Sequence, residues 1–70
     1  MSKHEALKVG DRVGWDSSGG RSEGRIVEVA EQDGQIKGFH YKASKHDPRY
    51  IVETDDGKRA AHKAAELRRL

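Results

Sequence analysis

The sequence predicts a small all-β domain, a barrel or a sandwich, on the strength of three observations. Short runs rich in valine, isoleucine and aromatic residues recur about every ten residues, with turn residues between them. Two of the intervening segments contain Asp-Gly, the dipeptide most typical of tight hairpin turns. The chain has 70 residues and no cysteine, so a single compact core must stabilise it without disulfides.

The first predicted strand covers residues 11–15 and places Val13 and Trp15 on one face, since side chains alternate along a strand. Trp15 is one of the largest apolar groups in the chain, and we assign it mainly to the core. Residues 16–22 follow with small and polar side chains, which predicts an exposed, flexible loop.

The second predicted strand covers residues 24–30. Its neighbouring Ile26 and Val27, followed by Val29, give it apolar side chains on both faces. Such a pattern is typical of a strand that is central in its sheet or strongly bent.

The third predicted strand covers residues 36–42 and should pair antiparallel with the second through a turn at Asp33-Gly34. Phe39 and Tyr41 point to one side of it. We assign Phe39 mainly to the core and Tyr41 to its boundary, because a buried tyrosine needs a hydrogen-bond partner for its hydroxyl.

A polar connection over residues 43–49 leads to the fourth predicted strand, residues 50–54, which begins with Tyr50 at the core boundary. The Asp56-Gly57 turn then predicts a hairpin to a short fifth strand over residues 58–62.

Both ends of the chain have helical signals. From Lys63 onward the composition favours one or two helical turns, and Ser2 with Glu5 has the spacing of a capping box. We therefore expect one domain over residues 1–70, with its core at about residues 8–67, a short C-terminal helical turn and a flexible N-terminus.

The composition limits location and chemistry. The beginning of the chain has no apolar run typical of a signal peptide, and no stretch approaches the length of a membrane span, so we expect a cytoplasmic monomer without membrane contact. A nucleophilic cysteine, a Gly-x-Ser-x-Gly elbow and a phosphate-binding glycine loop before a helix are all absent from the sequence. We therefore expect no enzymatic activity and no cofactor.

Five ordered blocks carry a resemblance to a known family: KVGDRVGW with the directly following DSSGGRSEGRIVEV, then GFHYKAS, DPRYIVETDDGK and AAHK. They resemble the SH3-like barrels of the Tudor and KOW type, and more closely the small hypervirulence-associated Tudor-type domains of unknown function. The likeness covers residues 9–67. It implies a five-stranded SH3-like barrel and a binding role, and it supplies almost no further biochemistry.

Large side chains and positive charge occur together in residues 37–50. Tudor barrels that read methylated side chains use a cage of aromatic faces, whereas nucleic-acid-binding barrels combine cations with stacking aromatics. The candidate binding surface comprises His40, Tyr41, Lys42, Lys45, Arg49, Tyr50 and Lys63. A packed core with a solvated basic margin would explain the same residues.

The histidines, His4, His40, His46 and His62, lack the helical pairing or cysteine partner of a usual zinc site, so we expect no metal. We interpret His62 as a half-buried residue that bonds a loop backbone.

Two functions of different classes remain open from the sequence, beside a third possibility that the domain stabilises or regulates a larger assembly without a small ligand of its own. The first is a protein or peptide interaction module with an aromatic-rimmed groove. The second is a weak nucleic-acid-binding domain that uses the basic margin and exposed tyrosines, for which the net charge of +2 is modest.

Overall fold

The computed structural model describes residues 7–36 and 38–70, so the predicted capping box at Ser2 and Glu5 lies outside the described residues. It is all-β, as predicted. The strands are β1 (Arg12–Ser17), β2 (Gly20–Ala30), β3 (Gly34–Ile36), β4 (Phe39–Tyr41), β5 (Arg49–Thr54), β6 (Arg59–His62) and β7 (Arg68–Arg69). A 3-10 turn, Ala64–Glu66, lies where the short C-terminal helical turn is predicted.

Two antiparallel sheets form from these strands. Five strands pair in the order β6-β5-β2-β1-β7, and β3 pairs with β4 in a separate hairpin. The predicted closure into a five-stranded barrel is not confirmed, because the edges β6 and β7 are joined through the 3-10 turn and not by hydrogen bonds.

The five-stranded sheet nevertheless curls around its core. In a flat sheet β1 and β6, three places apart, would be separated by about 14 Å. The rings of Trp15 on β1 and His62 on β6 have centroids only 5.2 Å apart, inclined at 42°. The two ends of the sheet therefore approach each other across its concave face.

That concave face holds the main core. Its buried side chains are Val13, Trp15, Ile26, Tyr50 and Val52, with Leu7, Val29, Ala60 and Leu67 packed against them. The assignment of Trp15 to the core is confirmed. Tyr50, predicted at the boundary, is fully part of this core because it lies on the same face of β5 as Val52.

The strand β2 is both central and irregular, as its apolar pattern predicts. It pairs with β1 on one side and β5 on the other, and its register with β5 shifts between Ile26 and Glu28. Val27 is thus the extra residue of a bulge, which bends the strand. Nearby, the backbones of β2 and β5 approach so closely at Gly24 that a Cβ there would overlap the carbonyl group of Glu53.

The prediction for residues 16–22 is wrong as a loop, although residues 16–21 are exposed as predicted. The β1 and β2 ladder continues as far as the pair Ser17 and Gly20, which leaves only residues 18–19 in the turn. Polar side chains do not prevent this, because the pairing uses backbone groups and Ser17 Oγ also donates to the Gly20 carbonyl at 3.0 Å.

The third predicted strand is also wrong in its pairing. Gly38 adopts a left-handed φ of 84° inside the predicted strand and separates β3 from β4, which pair with each other. β2 pairs instead with β5, down to Ala30 opposite Arg49. The resulting β3–β4 hairpin leaves Phe39 58% exposed, so its assignment to the core is wrong.

The hairpin predicted at Asp56-Gly57 is confirmed. Thr54 donates its backbone N–H to the Lys58 carbonyl at 2.8 Å, and Gly57 has a φ of 88°. The β5 and β6 ladder then runs from Glu53 opposite Arg59 to Tyr50 opposite His62.

Candidate functional site

The β3–β4 hairpin has one apolar face. Ile36 lies opposite Phe39 and Gly34 opposite Tyr41, so these four residues share a face, while Gln35 and His40 share the other. Ile36 and Tyr41 are half-buried, whereas Phe39 lies exposed at the tip. The hairpin therefore carries a strip of apolar side chains that ends in an exposed phenyl ring.

A cleft of about 370 Å³ separates this hairpin from the sheet, and we call it the hairpin cleft. Its lining residues are Glu28, Gln35, Ile36, Tyr41, Ile51, Gly57 and Arg59. Ile51 is buried but lies apart from the main core cluster, since it projects from β5 on the opposite side from Tyr50 and Val52. The hairpin cleft thus has an apolar base, with Glu28 and Arg59 among its charged walls.

Tyr41 forms a wall shared by several depressions. Besides the hairpin cleft, it lines one depression with His40 and Lys42 and another with Glu31 and Asp33. Its ring lies over Gly34, where a Cβ would overlap the phenol. The absence of a side chain at Gly34 therefore allows Tyr41 to take the position in which it borders all three depressions.

The base of the hairpin is closed by Asp33, whose Oδ1 accepts a hydrogen bond from the Ala43 backbone N–H at 2.9 Å. Lys42 and Lys45 lie beyond it, both exposed and in no ion pair with a described residue. Lys42 and His40 line the same depression, together with Asp33.

The remaining predicted surface residues lie elsewhere. The Arg49 side chain is only 17% exposed, and its guanidinium donates to the Asp47 carbonyl at 3.1 Å and pairs with the Asp47 carboxylate at 3.0 Å. Tyr50 is in the core. Lys63 is exposed and follows His62, the cross-strand partner of Tyr50, so it lies near the Arg49 end of the sheet. The structure thus brings together His40, Tyr41 and Lys42, with Lys45 shortly after them in the chain.

His62 is half-buried, as predicted, but its partner is a carboxylate and not a loop backbone. Its Nδ1 lies 3.1 Å from Glu66 Oε1, which also accepts the Lys63 backbone N–H at 2.9 Å. The Lys63 N–H and then His62 stabilise the ionised form, so the pKa of Glu66 lies below its usual value. This contact connects the end of β6 to the 3-10 turn.

The pKa of Asp11 is lowered in a similar way, first by the Lys8 backbone N–H and then by Arg69. Within the described residues, no three histidine, aspartate or glutamate side chains come together as a group that could hold a metal ion. The described part of the chain also has no helix long and apolar enough to cross a membrane.

Sequence reasoning missed Ile36, Ile51 and Arg59 as lining residues. A signal for Ile51 was present, because it is an apolar residue alternating with Tyr50 and Val52 and so must face the side of the sheet away from the core. Ile51 becomes a lining residue of the hairpin cleft because the β3–β4 hairpin lies on that side of the sheet, a position that the sequence pattern does not indicate.

Comparison with known proteins gives one result. The family model for the Tudor domain of hypervirulence-associated proteins matches residues 10–67. No curated protein and no solved structure matches the chain. Tudor-type domains are generally small binding modules for proteins or nucleic acids. Because the match covers most of the sequence and agrees with the resemblance of the five blocks, the chain belongs to the hypervirulence-associated Tudor-domain family.

Proposed function

We propose that this domain is a non-enzymatic module that binds a protein partner through the β3–β4 hairpin and the hairpin cleft. The observation that carries the proposal is the exposure of Phe39, 58%, at the tip of a hairpin whose other apolar residues already line a cleft. An aromatic side chain beside a concave apolar surface is typical of binding hot spots. An extended peptide with one large apolar residue would contact both Phe39 and the cleft.

The structure argues against an aromatic cage for a methylated side chain. A cage surrounds its cation with several aromatic faces. Trp15 and Tyr50 are occupied in the core, which leaves only Phe39 and Tyr41 at the surface. We therefore expect the partner to be held by apolar contact and by its attraction to Lys42 and Lys45.

Peptide selection from a random library on the immobilised domain tests this proposal. We expect selected peptides to bind the Phe39→Ser variant about tenfold more weakly, since a hot-spot aromatic contributes more than about 1 kcal/mol. Val9→Ser is the matched control, because Val9 is 59% exposed but lies outside the hairpin. Equal affinity for wild type and Phe39→Ser would contradict the proposal, as would NMR shifts confined to residues outside the hairpin and cleft.

Nucleic-acid binding is a second candidate, favoured by two exposed lysines, without an ion pair to a described residue, that follow the exposed Phe39 and the half-buried Tyr41 in the chain. Lys42 and Lys45 would contact phosphates, and Phe39 or Tyr41 would stack on unpaired bases. Arg49 is less suited to this role than the sequence indicated, because Asp47 already holds its guanidinium.

Salt dependence distinguishes this candidate from peptide binding. For single-stranded RNA, each phosphate contact contributes about 0.7 to the slope of log affinity against log salt. Replacing Lys42 and Lys45 by glutamine should therefore reduce the slope by about 1.4. An unchanged slope in fluorescence anisotropy titrations would remove these lysines from a nucleic-acid site.

A further inference from the structure

The strand β6 is an edge of the five-stranded sheet. Thr54 and Lys58 form a hydrogen-bonded pair at the turn, with the Thr54 N–H donating to the Lys58 carbonyl at 2.8 Å. Since hydrogen-bonded and non-hydrogen-bonded pairs alternate in an antiparallel ladder, Ala60 and His62 bond to β5. The backbone groups of Arg59 and Ala61 therefore point away from the sheet.

Natural sheets protect exposed strands by short length, proline, bulges or charged side chains. The protection of β6 comes from its length of four residues and from the charges of Arg59 and of Lys63 just after it. Ala60 and Ala61 occupy the middle of β6, and its register with β5 has no shift. A second strand could approach the outward backbone groups without a steric obstacle from these side chains.

The charges along the edge indicate what such a strand should carry. Arg59, Ala61 and Lys63 fall on the same side of the extended chain, since Lys63 keeps an extended backbone with φ −79° and ψ 156°. Arg59 and Lys63 are thus about 13 Å apart, with a small residue between them. The Arg59 side chain is 52% exposed and contacts Glu53 only through Nε at 3.4 Å, so its terminal nitrogens remain available.

Ala61 lies directly opposite Ile51, the base of the hairpin cleft, and Arg59 lines the same cleft. A large apolar side chain placed over Ala61 by an added strand would therefore extend the apolar surface formed by Ile51, Ile36 and Tyr41. The flanking positions of that strand would lie opposite Arg59 and Lys63.

We infer that β6 binds an extended acidic segment of a partner protein as an additional strand, with an acidic residue, a large apolar residue and a second acidic residue at alternate positions. The inference rests on the proposed function, since it names the partner's chemistry and its mode of binding beside the hairpin cleft. Pairing with a second copy of the domain is disfavoured, because centring it on Ala61 would place Arg59 opposite Lys63 of the second copy. Like charges directly opposite each other destabilise a strand pair.

The test uses a seven-residue peptide with isoleucine at its centre and glutamate two positions before and two positions after it. Threonine fills the other positions to favour an extended chain. We expect binding to slow the hydrogen exchange of the Arg59 and Ala61 amides at least tenfold, because both become hydrogen-bonded to the peptide. The same peptide with lysines in place of the glutamates should not bind. Absence of slowed exchange at these two amides while the peptide is bound would overturn the inference.

Two variants of the full chain separate the backbone contribution from the charges. Ala61→Pro removes an outward donor without removing a bond to β5, and should weaken binding at least tenfold. Arg59→Gln combined with Lys63→Gln should weaken it about threefold for each charge removed and leave the strand intact. Wild-type affinity in both variants would overturn the inference, and Trp15 fluorescence verifies that each remains folded.

The hairpin variant separates this inference from the proposed function. Loss of binding in Phe39→Ser, with wild-type affinity in Ala61→Pro, would support the hairpin and overturn the edge. Loss in Ala61→Pro alone, with slowed exchange at the edge in wild type, would support the edge and contradict the role of the hairpin. A dimer in sedimentation experiments that Ala61→Pro abolishes would identify the occupant as a second copy and also overturn the inference.

Discussion

Substitution of Gly24 by alanine should test the central register of the sheet more directly than any other single change. A Cβ at Gly24 would overlap the Glu53 carbonyl oxygen and carbon and would lie 3.1 Å from the Thr54 Cα. All three are backbone atoms of the neighbouring strand β5, so no side-chain rotation can relieve the overlap. β2 and β5, the two central pairing strands, would have to separate at the Gly24–Thr54 end of their ladder.

The expected loss of stability follows from that geometry. Overpacking by one methyl group usually costs about 1–3 kcal/mol, and we expect Gly24→Ala to lie at or above the upper end because the obstacle is backbone. A domain of this size has a total stability of roughly 3.5–10 kcal/mol, at about 0.05–0.15 kcal/mol per residue. The variant should therefore lose a third of its stability or more and approach unfolding.

Two other glycines provide matched controls in the first hairpin. No atom lies within 4 Å of the position that a Cβ on Gly19 would take, and the φ of Gly19 is not positive. Gly19→Ala should therefore stabilise the domain by about 0.4–1 kcal/mol, because alanine lowers the conformational entropy of the unfolded chain. At Gly14 the nearest atom, the Ser22 carbonyl oxygen, is 3.5 Å away, an ordinary contact, and Gly14→Ala should change stability by less than about 1 kcal/mol.

Urea denaturation followed by fluorescence measures all three variants, because Trp15 is the only tryptophan and is buried in the core. The expected order of stability is Gly19→Ala, then Gly14→Ala, then Gly24→Ala. If Gly24→Ala were as stable as Gly19→Ala, the register that places Gly24 against Thr54 would be refuted.

Three further predictions concern the core, the hairpin and acid stability. Ile26→Ala should lower the free energy of unfolding by about 2–5 kcal/mol in the same denaturation experiment. Phe39→Ser should change it by less than about 0.5 kcal/mol, because Phe39 is exposed. Similar losses of stability in the two variants would place Phe39 in the core and contradict its exposed position. Gly34→Ala should displace the Tyr41 ring, which NMR spectra would show as shifted ring resonances. The loss of stability should be less than about 1 kcal/mol, because a side chain can move aside. Unchanged resonances would contradict the packing of Tyr41 over Gly34. Because folding lowers the pKa of Glu66 from its ordinary value of 4.5, its contribution to stability is present above that pH and is lost as pH falls through the lower folded-state value. Glu66→Gln should therefore show a shallower loss of thermal stability on acidification below about pH 4.5, and parallel curves for the two proteins would contradict the Glu66 contacts.

The sequence predicted β1, β2, β5 and β6 because the residues of each strand, or of the turn beside it, show a recognisable pattern. Alternation around Val13 and Trp15, apolar residues on both faces at Ile26 and Val27, and the Asp56-Gly57 turn each depend on only a few neighbouring residues. These features correspond to β1, the bulged centre of β2, and the β5 and β6 hairpin. The two-residue strand β7 has no comparable signal, since two arginines show no apolar alternation; its backbone pairs with β1, and the Arg69 side chain also forms an ion pair with Asp11.

The prediction of the third strand was wrong because this segment contains two glycines, Gly34 and Gly38, at which a hairpin turn could form. Asp33-Gly34 has the stronger hairpin signature, but Gly38 takes the left-handed φ and the β3–β4 turn forms there. Alternation correctly placed Phe39 and Tyr41 on one face. Whether that face meets the core depends on the pairing of β2 with β5, which residues 31–48 do not specify. The candidate site could not be predicted for the same reason, because Ile51 and Arg59 line the hairpin cleft only when the hairpin lies beside β5 and β6.

The pairing of Ala30 with Arg49 makes the intervening residues, 31–48, an insertion between two adjacent strand ends. Antiparallel strands with such neighbouring ends can be connected by a two-residue turn. The curled sheet and its core therefore do not require the hairpin for chain continuity. Evolution or protein engineering could exchange this segment for another loop and change what the domain recognises while retaining the same supporting scaffold.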